Sequence, residues 1–300
     1  MRRWLAALAL LWALPCQADD PPGLDMLELS GSGGRPLKLQ LWHPAGPGGT
    51  AVSAGGNAVF RGEAARSGAP PLPGPLPLVL ISHGGLRSAS GTGSWLAADL
   101  ARKGYLAVLA SAPPPDPAGA PDEIWRRPAD LSLALGTLLA DPLWGGRIDP
   151  DRISVLGFAL GGTAALMLAG AELDAGGYAR SCEAGGSGPD CAWMAAAGVS
   201  PADADPAGLA ADRRDARVAA AIAVLPEYPG LLSALPADAA GDAITEGHAP
   251  ADAFPVCTEA GPEILGADAG LCGGSPEARR AAHARLLAEI LAALGPPGGR

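Results

Sequence analysis

The sequence predicts an α/β fold in which a mostly parallel β-sheet carries helices on both faces. The first observation is a set of continuous apolar runs bounded by turn residues, which is typical of strands buried on both faces. These runs are residues 76–82, 105–111, 153–156 and 218–225. The second observation is that helical patterns alternate with them, at residues 94–103, 128–140, 162–171 and 276–294. Alternating strands and helices form βαβ units, and such units build a parallel sheet.

The remaining segments are less regular. Residues 24–29 and 37–42 alternate in polarity around a glycine-rich turn and predict a hairpin. The Gly- and Pro-rich stretch 43–75 predicts a long surface loop, and residues 226–247 contain no apolar run that predicts a strand. Residues 172–216 predict a small, irregular, disulfide-containing cap inserted above the sheet. We therefore expect one domain over residues 19–294, followed by a disordered tail at residues 295–300.

Composition limits the possible partners. The chain has 300 residues, of which 48% are hydrophobic, and this is enough for a single large core. Its formal net charge is −10 at pH 7. An acidic surface repels nucleic acid and anionic membranes, so we expect neither as a partner.

The amino terminus is typical of an exported protein. Arg2 and Arg3 precede an apolar stretch, and Ala18 supplies a small residue at a cleavage position, as in a secretory signal peptide. We expect residues 1–18 to be removed and the protein to be periplasmic or secreted. The apolar stretch is too short to span a bilayer, so we expect no transmembrane segment in the mature chain. Lipidation of Cys16 is the less favoured alternative, because Pro15 before it does not suit a lipoprotein signal.

Cleavage after Ala18 leaves four cysteines: Cys182, Cys191, Cys257 and Cys272. In an oxidising compartment four cysteines suggest two disulfides, of which more than one connectivity is possible. We favour the pairs that are near in sequence, Cys182 with Cys191 and Cys257 with Cys272. A metal site is disfavoured because C-x-x-C spacing and neighbouring histidines are absent, and we expect no metal.

The most informative motif is residues 157–162, Gly-Phe-Ala-Leu-Gly-Gly, which follow a predicted strand and open a predicted helix. This is the setting of the nucleophile elbow, G-x-S-x-G, of the α/β-hydrolase fold. Ala159 stands where that motif has serine, and a methyl group cannot attack a carbonyl. The oxyanion donors are predicted to be the backbone N–H groups of Gly85 and Leu160, because each lies just past a strand end that faces the elbow.

A general base and its orienting acid are harder to find. His248 follows the last predicted strand and precedes the closing helix, where the order of the hydrolase triad places a histidine. A surface histidine with no role is the alternative interpretation of this residue. Three carboxylates, Asp238, Asp242 and Glu246, lie before it, but we expect them to be solvated loop charges. The strand that should supply the acid is therefore predicted to be missing.

Several stretches together resemble a known family. They are residues 56–60 (Gly-Asn-Ala-Val-Phe), 81–85 (Ile-Ser-His-Gly-Gly), 125–130 (Trp-Arg-Arg-Pro-Ala-Asp), 141–144, 148–153, the elbow, and Gly247-His248 with Cys257 and Cys272. The chain resembles the secreted bacterial α/β-hydrolases described as predicted dienelactone hydrolases, which are relatives of platelet-activating-factor acetylhydrolase. The resemblance implies a serine esterase or lactonase without a cofactor, acting on a small-molecule ester, lactone or acyl compound. It also implies position 159 as nucleophile, His248 as base, and Gly85 and Leu160 as oxyanion donors.

Two functions follow from this reading of the sequence. The chain is either a carboxylic-ester hydrolase by descent, impaired because Ala159 replaces the nucleophile, or a non-catalytic protein that binds an acyl or lipid-like ligand.

Overall fold

The computed structural model describes residues 20–88, 91–183 and 188–297. Within these residues, nine strands form one sheet in the order β3-β4-β1-β2-β6-β5-β7-β8-β9. The strands are β1 Gly23–Ser30, β2 Pro36–His43, β3 Thr50–Ala54, β4 Glu63–Ser67, β5 Leu76–Ser82, β6 Leu106–Ser111, β7 Ile148–Phe158, β8 Ala220–Val224 and β9 Ala240–Ile244. The helices are α1 Ser94–Arg102, α2 Glu123–Ala140, α3 Leu160–Leu168, α4 Ala175–Ala179, α5 Cys191–Ala196, α6 Pro206–Ala210, α7 Gly261–Leu265 and α8 Pro276–Leu294.

The five strands β6, β5, β7, β8 and β9 are parallel to one another, and β2 pairs antiparallel with β6. A mostly parallel sheet that carries a sharp strand-to-helix turn after a central strand, β7, is the α/β-hydrolase arrangement. The fold class predicted from the sequence is confirmed.

The two faces of the sheet are covered by different helices. Side chains of β5 alternate, so that Val79 and Ile81 join one buried cluster while Leu78 and Leu80 join another. The first cluster includes residues of α1 and α8, and the second includes residues of α2 and α3. Every residue of β5 is buried, which explains its continuous apolar sequence.

Two parts of the predicted loop structure are wrong. Residues 43–75 are not a plain loop, since β3 and β4 form an antiparallel pair there and extend the sheet beyond β1. Residues 226–247 contain β9, which pairs in parallel with β8 along its whole length. Most residues of β3 and β9 are exposed, so backbone pairing rather than an apolar pattern holds these edge strands in place.

The helix predicted at residues 128–140 begins earlier, at Glu123, and Pro128 lies inside it. Pro128 is the sixth residue of this helix, so it removes the hydrogen bond that an N–H at this position would donate to the carbonyl of Ile124. Glu123 and Arg127 form an ion pair one turn apart, which supports the earlier start.

Both favoured cysteine pairs are joined, Cys182 with Cys191 and Cys257 with Cys272. The first disulfide lies in the segment 172–216. The second lies beside Phe60 and Phe254 in a small apolar cluster.

The ends of the chain are described only in part. The predicted signal peptide, residues 1–18, and the lipidation alternative at Cys16 lie outside the described residues, as do residues 298–300 of the predicted tail. Residues 295–297 are described, and their carbonyl groups accept hydrogen bonds from Tyr105 and Arg152. No helix among the described residues is long and apolar enough to cross a membrane.

Candidate active site

The elbow is a tight turn between β7 and α3. Ala159 joins them with φ 50° and ψ −121°, a conformation that residues with a Cβ rarely adopt. Glycines on either side make the turn possible: a Cβ on Gly157 would overlap the carbonyl of Gly161, and a Cβ on Gly161 would overlap the carbonyl of Ser82. These contacts explain the glycines of the motif.

The main chain of Ala159 is fixed by its neighbours. Its N–H donates to the carbonyl of Val224 at 3.0 Å, and its own carbonyl accepts from Gly162 at 2.9 Å and Thr163 at 3.1 Å. The residue is half-buried, and its methyl group lies against Gly84, where a Cβ would come within 2.8 Å of it. Position 159 therefore faces the loop that follows β5, with a group that has no nucleophilic atom.

The two predicted oxyanion donors lie on either side of this contact. Leu160 is the first residue of α3, so its N–H has no partner within the helix. Gly85 directly follows Gly84, which contacts the methyl of Ala159, and the φ of Gly85 is +46°. Within the described residues neither N–H donates to a protein acceptor.

The structure does not join His248 to the elbow. Its ring is only 1% exposed, with Nε2 3.1 Å from a carboxylate oxygen of Glu289 in α8 and Nδ1 3.9 Å from Asp252. Among the described residues no hydrogen bond connects His248 with Ala159 or with the loop after β5. Its role as a base remains a prediction.

The three carboxylates considered as the acid are exposed residues of β9 and its flanks. Asp238 pairs with Arg214 at 2.7 Å, and none of the three is hydrogen bonded to His248 among the described residues. They match the expectation of solvated charges.

The sequence analysis missed one carboxyl group, that of Glu227. The backbone N–H of Glu227 donates to the carbonyl of Ala159 at 3.2 Å, and the backbone carbonyl of Glu227 accepts from the hydroxyl of Thr163. Burial raises the pKa of its carboxyl group to about 7, with attraction to Arg127 opposing the rise and repulsion from Asp190 adding to it. Glu227 follows β8 by three residues, so its place at the carboxyl edge of the sheet was a signal available in the sequence.

Unusual backbone conformations gather at this site. The non-glycine residues with positive φ in the described part of the chain are Ala159, Asp190, Leu225 and Tyr228. Leu225 and Tyr228 flank the segment that bonds to the elbow, and Asp190 interacts with Glu227. Strained backbone of this kind clusters at functional sites, where surrounding contacts hold it in place.

Two further histidines have structural contacts. His83 lies between Phe158 and Phe254, its Nε2 is 3.2 Å from the carbonyl of Ala253, and burial lowers its pKa to about 4. His283 is a residue of α8. It is buried, it stacks on Trp95 at 3.6 Å, and burial lowers its pKa to about 4.

The segment 172–216, in which residues 184–187 are not described, packs beside the elbow. Its buried side chains pack on Leu86 and Leu160. Leu160 is one predicted oxyanion donor, and Leu86 directly follows the other, Gly85. Polar contacts fasten it on the same side, since Arg87 pairs with Asp190 at 3.2 Å. The hydroxyl of Tyr178 donates to the carbonyl of Pro121 at 2.8 Å.

A cavity of about 50 Å³ lies beside the loop after β5. Its lining includes His83, Gly84 and Gly85 but no residue of the elbow, so it is not the space in front of Ala159. Among the described residues, no group of three or more His, Cys, Asp and Glu side chains is arranged to hold a metal ion.

No protein-family model matches this sequence, and no curated protein matches it. Some solved structures resemble part of it at low sequence identity. The ferulic acid esterase of Streptomyces cinnamoneus is 22% identical with a TM-score of 0.44, over 68% of this chain and 58% of the esterase. A bacterial heroin esterase is 19% identical with a TM-score of 0.35, over 72% of this chain and 47% of that one. A thermophilic carboxylesterase from a metagenomic library is 17% identical with a TM-score of 0.34, over 70% and 49%. The matched part thus spans about half the length of these esterases.

Proposed function

We propose that this chain derives from a carboxylic-ester hydrolase and keeps the backbone of that site without serine turnover. The observation that carries the proposal is the conformation of Ala159, with φ 50° and ψ −121° at the end of β7. Such a turn is costly to maintain, and its use in hydrolases is to present a nucleophile. Alanine keeps the turn and lacks the nucleophile.

Chemistry by the protein as it stands is limited to what binding and electrostatic stabilisation supply. When a catalytic triad loses a member, the oxyanion hole and substrate binding still leave about 10³- to 10⁴-fold acceleration over water. We expect at most this residual rate with a small-molecule ester or lactone. The proposal needs no cofactor, because acyl transfer uses only side chains and backbone donors.

A second candidate is capture of an acyl or lipid-like ligand without any turnover. One observation favours it: the ring of His248 is engaged by Glu289 in α8 instead of by the elbow. On this proposal the segment 172–216 acts as a cap that closes over the bound ligand.

We also propose that the protein works in an oxidising compartment after export. The support is its two disulfides, which persist where thiols are not kept reduced. Intact mass of protein recovered from the producing cells' periplasm or medium would test this, because cleavage after Ala18 predicts a chain that begins at Asp19.

The experiment for the main proposal measures hydrolysis of p-nitrophenyl butyrate by the wild-type protein, Ala159→Ser and Ala159→Gly. We expect turnover at the rate of a serine esterase only in Ala159→Ser, because serine restores the attacking oxygen, whereas glycine changes the same position without adding one. Wild-type turnover at the rate of an ordinary serine esterase would show that the reaction does not depend on position 159.

Binding separates the two candidates. Isothermal titration of the wild-type protein with butyrate and longer fatty acids should show saturable binding if a ligand site persists. Measurable ester turnover by the wild-type protein favours an impaired hydrolase, while binding by the wild-type protein without any turnover favours ligand capture. Absence of both would contradict the proposal.

A further inference from the structure

The side chain of Arg127 in α2 donates hydrogen bonds to the backbone carbonyl groups of the loop after β5. Its Nη1 donates to the carbonyl of His83 at 2.8 Å and to that of Gly84 at 3.2 Å. Its Nη2 donates to the carbonyl of Gly85 at 3.0 Å. Three consecutive carbonyl groups therefore converge on one guanidinium.

These bonds determine which way the opposite groups point. In a trans peptide the C=O of one residue and the N–H of the next lie in one plane and point in opposite directions. The carbonyl of Gly84 shares its peptide plane with the N–H of Gly85. Holding that carbonyl on Arg127 therefore turns the Gly85 N–H away from Arg127.

The side of the loop away from Arg127 is the elbow side. Gly84 packs so closely there that a Cβ would come within 2.6 Å of the carbonyl oxygen of Phe158 and 2.8 Å of the Ala159 methyl. The loop is thus fixed between a guanidinium on its carbonyl side and the elbow on the other.

Arg127 is itself held by buried charges. Its Nε donates to Glu123 at 3.1 Å, and the second oxygen of Glu123 accepts from Arg35, the residue before β2. Arg35 also donates to Asp130, at 2.9 Å from Nε and 2.5 Å from Nη2. The side chains of Glu123 and Asp130 are 3% and 4% exposed, and the two arginines balance their charges. All four residues line the cavity of about 50 Å³.

We propose that Arg127 is a positioning residue that aims the Gly85 N–H at the substrate carbonyl, and that Glu123 and Arg35 hold it in that role. The proposal deepens the proposed function and rests on it, since an aimed donor matters only if an oxyanion or a carboxylate occupies the site. The residue must be arginine, because a planar fork serves three carbonyls and a carboxylate at once, whereas an ammonium group is a point charge.

The test substitutes Arg127→Lys, with Arg126→Lys as the matched control. Lysine keeps the charge, so Glu123 is not left unpaired in the interior and the variant is expected to fold. Arg126 undergoes the same change next door in the sequence, but it pairs with Asp122 and lies over Trp125 instead of contacting the loop.

Two readouts are needed. The first is the amide resonance of Gly85 in ¹⁵N-labelled protein with the wild-type residue at position 159, which reports the loop without any ligand. The second is kcat and KM for p-nitrophenyl butyrate in the Ala159→Ser background. We expect Arg127→Lys to shift the Gly85 resonance and to lower kcat about 100-fold with KM nearly unchanged, as loss of an oxyanion donor does. Arg126→Lys should leave both readouts as they are.

An unchanged Gly85 resonance in Arg127→Lys overturns the proposal, and so does a shifted resonance with an unchanged kcat. If Ala159→Ser shows no turnover, the proposed function fails on its own. In that case the Gly85 resonance still decides whether Arg127 sets the loop.

Discussion

Replacing Ala159 by glycine is expected to stabilise this protein, although the same change destabilises most proteins. Ala159 has φ 50° and ψ −121°, where a residue with a Cβ is strained by about 1–3 kcal/mol. Glycine reaches positive φ without that penalty. The strain should therefore disappear in the variant while the turn stays the same.

Two opposing effects reduce the gain. Glycine loses about 0.5–1 kcal/mol more than alanine through its greater freedom in the unfolded chain. The half-buried methyl contributes part of the roughly 0.8 kcal/mol expected for a fully buried carbon. Setting these against about 2 kcal/mol of strain leaves a net stabilisation of about 1 kcal/mol, or a Tm about 2 °C higher.

The assay is thermal and urea unfolding, followed by circular dichroism, of the wild-type protein, Ala159→Gly and Ala284→Gly. Ala284 is exposed inside α8, where glycine should cost about 1 kcal/mol. The same chemical change is thus predicted to act with opposite signs at the two positions. If Ala159→Gly loses as much stability as Ala284→Gly, residue 159 is not strained and the elbow is not formed as described.

Two further predictions concern the same site. Gly161→Ala should lower the free energy of unfolding in urea by several kcal/mol, because its Cβ would overlap the carbonyl of Ser82. Gly146→Ala is the control: Gly146 has open space around it, so this variant should stay within about 0.5 kcal/mol of the wild type. Equal losses in the two variants would refute the tight turn. Glu227→Gln tests the raised pKa. Since the folded protein keeps a proton on Glu227 up to about pH 7, its stability should fall as pH rises from about 4.5 to 7. The glutamine variant should therefore match the wild type at pH 4 and exceed it by about 3 kcal/mol at pH 8, and a difference that does not depend on pH would contradict the assignment.

The buried parts of the fold could be predicted from the sequence because burial leaves a pattern. β5 is apolar at nearly every position, and the structure places the strand at the same residues, Leu76–Ser82. α8 was predicted with its observed bounds, Pro276–Leu294, because apolar residues recur on one side of this segment. The favoured cysteine pairs followed from short spacing.

The edge strands could not be predicted. β9, Ala240–Ile244, is almost wholly exposed, so nothing in its side chains required a strand. It is held by pairing with β8, and such pairing between distant segments has no local signature. The start of α2 was missed for a related reason, because the contacts of Glu123 are ion pairs with Arg35 and Arg127 rather than an apolar stripe.

The candidate site divides in the same way. The elbow was found because its glycines are a local steric requirement, which a motif expresses. Glu227 was missed because the acid was expected on a later strand, whereas Glu227 lies three residues after β8. The contacts of Arg127 join residues more than 40 positions apart in the chain, and only the fold brings them together.

The central claim is that the fold still presents position 159 as a nucleophile site and that alanine there removes the attacking atom. Its most direct test is intact mass spectrometry of the wild-type protein and of Ala159→Ser after exposure to a fluorophosphonate. We predict one covalent adduct on Ala159→Ser, mapped to residue 159, and none on the wild type. An adduct on the wild type, or none on a correctly folded Ala159→Ser, would contradict the account.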